Sequence, residues 1–368
     1  MLKIGVAGLG QMGLNYLRNL QELGQSVDQI VGCDIDAGRI KKVCATYPDL
    51  VTTQSIEELA ANADSFIVTV NTPSHCEVIE TIADNAAERV IGKNGAAYIL
   101  CEKPLVQHTA DLKRLQELEA RYKGLKILTA LVITFSDARQ MLESVMQADS
   151  LELRYAGGRW GKNRGRDSEK RPTAGDRVDE FIHMVEFLFS LMRKEGITYS
   201  DVISQVEHLE YVDEEVQSAA HQYDSSFPLK PDHATQALLN VKAGNNMVPM
   251  CLSSSFLEAQ QVRQVWGTLC APGTEKPVYS FDISFDTPKG DVLTLTQVRW
   301  NIVKPLEHPG NKLLSLTRAF LDLVTQGVLD ERLADIGWAG RFVELADAIG
   351  ESDRRRRKGS GREVRVTF

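Results

Sequence analysis

Leu2-Lys3-Ile4-Gly5-Val6-Ala7 leads directly into Gly8-Leu9-Gly10-Gln11-Met12-Gly13. The first stretch is apolar and reads as a strand. The second is G-x-G-x-x-G. A helical pattern follows from Gln11 to Leu23, with Leu14, Leu17, Leu20 and Leu23 at helical spacing. Strand, glycine-rich turn and helix in that order suit a phosphate cradle. The first glycine permits the tight turn, the second lets a pyrophosphate approach the backbone, and the third lets helix and strand pack closely. A tight turn in an unrelated α/β domain is the competing reading. A second strand, Gln29 to Asp34, weighs against that alternative. It ends in a carboxylate 21 residues past Gly13, placed to accept hydrogen bonds from an adenine ribose.

Outward from this turn, strands and helices alternate. Asp36 caps a helix that runs to Tyr47 and stops at Pro48. Ser65–Val70, Ala96–Cys101 and Leu125–Ile133 are apolar strand patterns, and His75–Val90 and Thr109–Tyr122 are helical ones. This rhythm predicts a parallel, doubly wound sheet with helices on both faces. It breaks near residue 134. One helix, Asp179–Arg193, is then followed by strand patterns at Val202–Leu209, Ala234–Val241, Met247–Phe256, Val278–Phe285 and Asp291–Val298, the last two joined by a turn at Thr287-Pro288-Lys289-Gly290. Helices at Leu313–Thr325 and Asp335–Ile349 close the pattern. The expected organisation is a Rossmann domain over residues 1–128 and a mostly antiparallel α+β domain over 129–368. A length of 368 residues fits two domains.

Composition limits the function. The chain is 25% charged and 43% hydrophobic, with a formal net charge of −8. An acidic chain is poorly suited to neutralise phosphates, so no nucleic-acid partner is expected. No apolar run reaches the ~18 residues of a bilayer span, so no membrane role is expected. No signal-peptide pattern is read at the N-terminus, which points to a cytoplasmic protein. The six cysteines are widely spaced and lack C-x-x-C, which suggests reduced thiols and no metal site.

Two further constellations carry chemistry. Glu102-Lys103-Pro104 follows the fifth strand, at the carboxyl end of a parallel sheet where ligands bind. A lysine there would face the nicotinamide end of a dinucleotide, although a surface lysine in a loop is the plain alternative. Asp179 and His183 stand four residues apart on one helix face, with Glu186 three residues on. A buried carboxylate beside a histidine suits a general base, and a structural histidine is the alternative. At Asp34 the carboxylate would repel a 2′-phosphate, so NAD is expected rather than NADP, with Arg39 the nearest group able to favour NADP.

Taken together, these motifs resemble the Gfo/Idh/MocA oxidoreductase family, the glucose–fructose oxidoreductase and inositol dehydrogenase group. Thr72-Pro73 after the fourth strand and the pattern Phe320…Gly327…Ala346 add to the resemblance. It implies a large open sheet in the second domain, substrate between the domains, and dimers or tetramers formed through that sheet. It also implies a cofactor set of Gly8, Gly10, Gln11, Met12, Gly13, Asp34, Thr72, Pro73, His75, Glu102 and Lys103. Lys103, Asp179 and His183 would be the catalytic residues. His183 would act as base and Lys103 as oxygen ligand or relay, and those two roles are interchangeable. The chain departs from the family pattern at Ile133-Thr134-Phe135-Ser136-Asp137, at Glu186, and in the short step from Pro73 to His75.

The expected activity is hydride transfer between NAD and a ring secondary alcohol of a sugar, sugar phosphate, nucleotide sugar or cyclitol. An NAD-dependent glycoside hydrolase and a non-catalytic NAD-sensing regulator are the alternatives. Residues 154–177 hold eight basic residues against three acidic ones. Arg159 would then meet an anionic group on the substrate and Trp160 would stack on a sugar face. The competing reading is a solvated loop or a subunit contact. The run Arg354–Lys358 reads as an exposed turn.

Overall fold

A computed structural model describes residues 2–163, 176–192, 196–208, 232–299, 302–308, 310–358 and 364–366. Contacts divide the chain into two units, one of Met1–Val132 with Lys312–Val343 and one of Ile133–Asn311 with Glu344–Phe368.

The first unit is built on strands β1 (Ile4–Ala7), β2 (Ile30–Cys33), β3 (Val51–Thr53), β4 (Ser65–Val68), β5 (Ala97–Glu102) and β6 (Leu125–Ala130). They are parallel, in the order β6-β5-β4-β1-β2-β3. Helices α1 (Gln11–Glu22), α2 (Ala37–Thr46), α3 (Ile56–Asn62), α4 (His75–Asn94) and α5 (Thr109–Arg121) make the crossovers. Every residue of β1, β2 and β4 is buried, as a sheet covered on both faces requires. The chain winds from β1 towards β3 on one side, then crosses to β4 on the other. That reversal at β1 is the switch point where an open α/β sheet leaves a crevice. Asp36 caps α2 as expected, accepting the Gly38 and Arg39 N–H groups.

The expected boundary at 128/129 gives way to a different partition. Helix α9 (Lys312–Gln326) returns to α1, where Asn19 Nδ2 donates to Thr317 Oγ1 at 3.3 Å in a buried setting. Strand β15 (Ala334–Asp335) then pairs antiparallel with β6.

The second unit is a nine-stranded sheet. In chain order its strands are β7 (Glu152–Asn163), β8 (Ile197–His208), β9 (Asp232–Ala243), β10 (Asn246–Ser255), β11 (Leu257–Cys270), β12 (Pro277–Thr287), β13 (Gly290–Gln297), β14 (Ile302–His308) and β16 (Val364–Val366). In space they run β14-β13-β12-β11-β7-β10-β9-β8-β16, antiparallel except for the parallel pair β7–β10. Helices α7 (Asp176–Asp179) and α8 (Phe181–Met192) pack on β7, β9 and β10, and α6 (Asp137–Ala148) packs on β13 and β14.

Three readings change here. Residues 152–163 are not a basic loop but a central strand. Of its three glycines, Gly157 is explained by a neighbour. A Cβ on Gly157 would lie 2.4 Å from the ring of Trp266, which faces it on β11. Arg164, Arg166, Lys170 and Arg171 lie outside the described residues. The helix expected over Asp179–Arg193 is broken at Glu180 into α7 and α8. The arginine run is not a turn either. It is the last turn of α10 (Ile336–Arg357), where Arg354 and Arg355 meet Glu351 while Arg356 and Arg357 meet Asp353.

Candidate active site

The cradle in the first unit is formed by the glycines. Gly8 has φ +98° and its position is closed by the backbone of Thr69, 2.8 Å from where a Cβ would stand. Only glycine adopts that conformation without strain. A Cβ on Gly13 would sit 2.0 Å from the Gly8 carbonyl, so α1 can approach β1 only with glycine there. Thr69 Oγ1 donates to the Gly8 carbonyl at 2.7 Å and fixes the turn from β4. Gly10, by contrast, has nothing within 4 Å of its Cβ direction. It is the N-cap of α1 and supplies no side-chain cap. The helix therefore presents first-turn N–H groups beside open space, which is what a pyrophosphate needs. Gln11 is exposed and Met12 half-buried at this lip.

Asp34 stands just past β2. Its Oδ2 accepts the Leu9 N–H at 2.8 Å and its Oδ1 accepts the Asp36 N–H at 2.9 Å. The carboxylate thus tethers the glycine turn. Arg39 Nη1 lies 3.5 Å from Asp34 Oδ2 and is half exposed.

Two loops form the other lip. After β4 comes a 3-10 turn, Thr72–Ser74, with Thr72 half-buried and Pro73 exposed. After β5 comes Glu102-Lys103-Pro104, with a cis Lys103–Pro104 bond and a half-buried Lys103. Glu102 Oε1 accepts the Tyr16 hydroxyl at 2.8 Å. Burial, and then the neighbouring Glu102 charge, hold the Tyr16 phenol well above its usual range. Burial likewise pushes the Cys101 thiol up. His75 is only 1% exposed, and both ring nitrogens face backbone carbonyls. It supports the loops from beneath rather than presenting a surface to a cofactor.

In the second unit His183 is buried with Asp176, Asp179, Glu180 and Glu186. His183 Nδ1 lies 3.5 Å from Glu186 Oε2, and Glu186 Oε1 accepts the Ile133 N–H at 3.2 Å. A carboxylate beside the imidazole is thus Glu186, three residues on. Asp179 precedes the break in the helix, and Asp176 accepts the Ser254 hydroxyl from β10. Trp160 is 1% exposed and stacks on His183 and against Phe285. It walls the histidine and offers no open face for a sugar. Arg159, its neighbour on β7, is exposed. Alternation along the strand points it to the opposite face from Trp160 and His183. The structure thus groups the residues expected to hold a cofactor at one end of the parallel sheet, and Asp179, His183 and Trp160 on the second unit; Lys103 belongs to the first. Thr69 and Tyr16 are residues of these candidate sites that the motifs alone did not bring forward, whereas Glu186 was already part of the His183 constellation. Only the i, i+3 step from His183 to Glu186 carried a signal.

Residues 2–129 match the family described as "Oxidoreductase family, NAD-binding Rossmann fold", GFO_IDH_MocA. Residues 2–129 are thus similar to the NAD-binding domain of that family. Among curated proteins, inositol 2-dehydrogenase of Salmonella typhimurium is 29% identical over 130 residues, covering 33% of this chain and 34% of that protein. The match thus spans about a third of the length of that relative. Solved structures of similar fold cover nearly the whole chain. One is titled a putative NADPH-dependent oxidoreductase from Desulfitobacterium hafniense (TM-score 0.75, 14% identity, covering 99% of this chain and 97% of that one). Another is aldose-aldose oxidoreductase from Caulobacter crescentus (0.73, 12%, 99% of each). The transcriptional regulator Gal80p of Kluyveromyces lactis also shares the fold (0.69, 13%, 96% and 93%). A parallel Rossmann-type sheet followed by an open, mostly antiparallel sheet is thus a fold this chain shares with those solved structures.

Among the described residues no helix is long and apolar enough to cross a membrane, and no group of three or more His, Cys, Asp or Glu is placed to hold a metal ion.

Proposed function

We propose that the protein is an NAD-dependent dehydrogenase acting on a ring secondary alcohol of a sugar or cyclitol. The observation that carries this reading is the open space over Gly10 at the start of α1, with Asp34 at the end of β2 and Lys103 at the end of β5. A dinucleotide fits these residues. Gly8, Gly10 and Gly13 would hold its pyrophosphate, Asp34 its adenine ribose, and Thr72, Pro73, Glu102 and Lys103 its nicotinamide end. When bound, NAD supplies a hydride acceptor.

The chain's own residues supply the acid–base chemistry. With Nδ1 facing Glu186, His183 takes the hydroxyl proton at Nε2, and Glu186 stabilises the imidazolium that results. Asp179 binds the substrate hydroxyl. Lys103 orients the reacting oxygen or relays its proton. Asp34 favours NAD over NADP by charge. Polyols of the inositol kind are the substrate class suggested by the relatives' names, and an anionic substituent is an open extension of that class. A homo-oligomer fits the outer face of the second sheet, where Ile203, Leu238 and Met247 stand exposed on the side away from α7 and α8.

The test is reduction of NAD⁺ and NADP⁺ across inositols, neutral sugars, hexose phosphates and nucleotide sugars, with Lys103→Ala and His183→Ala alongside. Each variant is expected to lower kcat by at least ~10². A loss confined to KM would assign these residues to binding only. Cleavage of a glycoside without net NADH would favour the hydrolase. NAD binding with no turnover on any member would favour the regulator, a role that Gal80p shows to be compatible with this fold.

A further inference from the structure

The Glu102-Lys103-Pro104 loop is gripped on both sides of Lys103. On one side Tyr16, fully buried on α1, donates its hydroxyl to Glu102 Oε1 at 2.8 Å, while Glu102 Oε2 accepts the Lys103 N–H at 3.3 Å. On the other side His75, the first residue of α4, brings Nδ1 to 2.9 Å from the Pro104 carbonyl and 3.2 Å from that of Leu105. Its Nε2 lies 3.0 Å from the Val70 carbonyl, at the start of the loop that carries Thr72 and Pro73.

Carbonyls only accept, so a singly protonated ring donates to one of these loops and a doubly protonated ring to both. Either way the imidazole lies between the two loops that make this lip. Tyr16 stands on the helix whose first turn forms the phosphate cradle. The cradle, the Thr72–Pro73 loop and the lysine loop therefore share two buried polar links. A hydrogen bond to a carboxylate is among the stronger and more directional ones, and it fixes the backbone that carries the neighbouring side chain.

We propose that Tyr16 and His75 are positioning residues that together set the direction of the Lys103 side chain. This rests on Lys103 acting in the proposed reaction. Neither residue touches the reacting atoms. Both act through the backbone of residues 102–105, and misplacement of a reacting group by about 1 Å can cost on the order of 10²-fold in rate.

The test compares Tyr16→Phe, which deletes one oxygen, with His75→Leu and His75→Asn in the full-length protein. Three readings are taken: kcat and KM on the polyol that serves, the NAD dissociation constant by fluorescence titration, and amide hydrogen exchange across residues 102–106. Tyr16→Phe and His75→Leu are expected to lower kcat by about tenfold or more with the NAD constant within about twofold of wild type. His75→Asn, whose amide still donates to a carbonyl, recovers part of the loss. Unchanged kcat in both variants overturns the proposal. So does a parallel fall in kcat and NAD affinity, which would mean the contacts only hold the unit together. If His75→Leu does not fold, Tyr16→Phe and His75→Asn decide. If the wild type turns over no polyol, the functional reading fails separately and exchange decides the clamp. Faster exchange confined to residues 102–106 keeps it, and unchanged or unit-wide faster exchange overturns it.

Discussion

The indole of Trp160 stacks on the imidazole of His183, with ring centroids 5.0 Å apart and planes inclined by 27°. Arg263, opposite Trp160 on β11, places its guanidinium 5.6 Å from the indole centroid. The histidine is thus held between a carboxylate on its own helix and an aromatic wall on the central strand. Trp160→Ala opens a void in the core and is expected to cost about 3–5 kcal/mol in urea unfolding. It also lowers kcat/KM by releasing the imidazole. Trp160→Phe keeps a ring in place and should recover much of both losses. Full activity in a folded Trp160→Ala variant would remove the wall from the account.

Glu186→Gln tests the other side of the same ring. It keeps the shape and the acceptor for the Ile133 N–H but removes the charge beside Nδ1. The protonated histidine loses its counter-charge, so the acid limb of the kcat/KM profile should move to lower pH. An unmoved limb in a folded variant would place the titrating base elsewhere.

Gly10→Ala separates cofactor space from fold. Gly10 has ordinary extended backbone (φ −72°) and open space beyond it, so the Tm should stay at the wild-type value. The new methyl occupies the pyrophosphate position and should weaken NAD by at least about tenfold, roughly 1.4 kcal/mol. Gly13→Ala differs, because its Cβ would collide with the Gly8 carbonyl and lower both quantities. Calorimetry and NAD titration on the pair check the contrast.

Asp34 and Arg39 provide the test of the proposed cofactor choice. Asp34→Ala should weaken NAD more than NADP, and should also cost about 1–3 kcal/mol by leaving the buried Leu9 N–H without its acceptor. Arg39→Ala should weaken NADP and leave NAD nearly unchanged. Equal effects on the two cofactors would count against the ribose contact.

Acid stability has an identifiable contributor in the first unit. Burial works against ionisation of Asp64, but Lys93 at 3.0 Å, the Lys3 N–H at 3.1 Å and Arg89 at 3.3 Å outweigh it and hold the carboxyl below its usual range. A depressed folded-state value stabilises the fold above the ordinary aspartate value of ~3.9, and that contribution fades as pH falls through the folded value. The urea midpoint of the wild type should therefore drop below about pH 4, and Asp64→Asn should show a lower midpoint at neutral pH with a shallower acid drop. Parallel pH curves for the two proteins would rule Asp64 out.

The Rossmann half was legible because its signals are local. The glycine turn, the Asp36 cap and the buried apolar strands each declare themselves within a few residues. The Thr287–Gly290 hairpin did so too, with Thr287 facing Gly290 as expected. The central strands β7 and β11 were missed, and both neighbours of β7, β10 and β11, lie far away in sequence. Tyr155-Ala156-Gly157-Gly158-Arg159-Trp160 reads as a loop until Trp266 is seen lying over Gly157. The basic run hid strand alternation, with Arg159 facing out and Trp160 facing in. In the same way α10 runs past Gly350 because Glu351 and Asp353 pair with the arginines that follow. The catalytic candidates, with Glu186 three residues past His183, were legible by type, while the buried Tyr16 needed coordinates.

The return of residues 312–343 to the first unit has a consequence for biosynthesis. Strand β6 lacks its β15 neighbour, and Asn19 lacks Thr317, until the ribosome has passed residue 335. The Rossmann fold begins first and is completed late, with eight of the nine strands of the other sheet translated in between. A nascent chain released early would carry an unfinished edge beside a nearly complete nucleotide cradle, the kind of exposed strand on which chaperones and aggregation act.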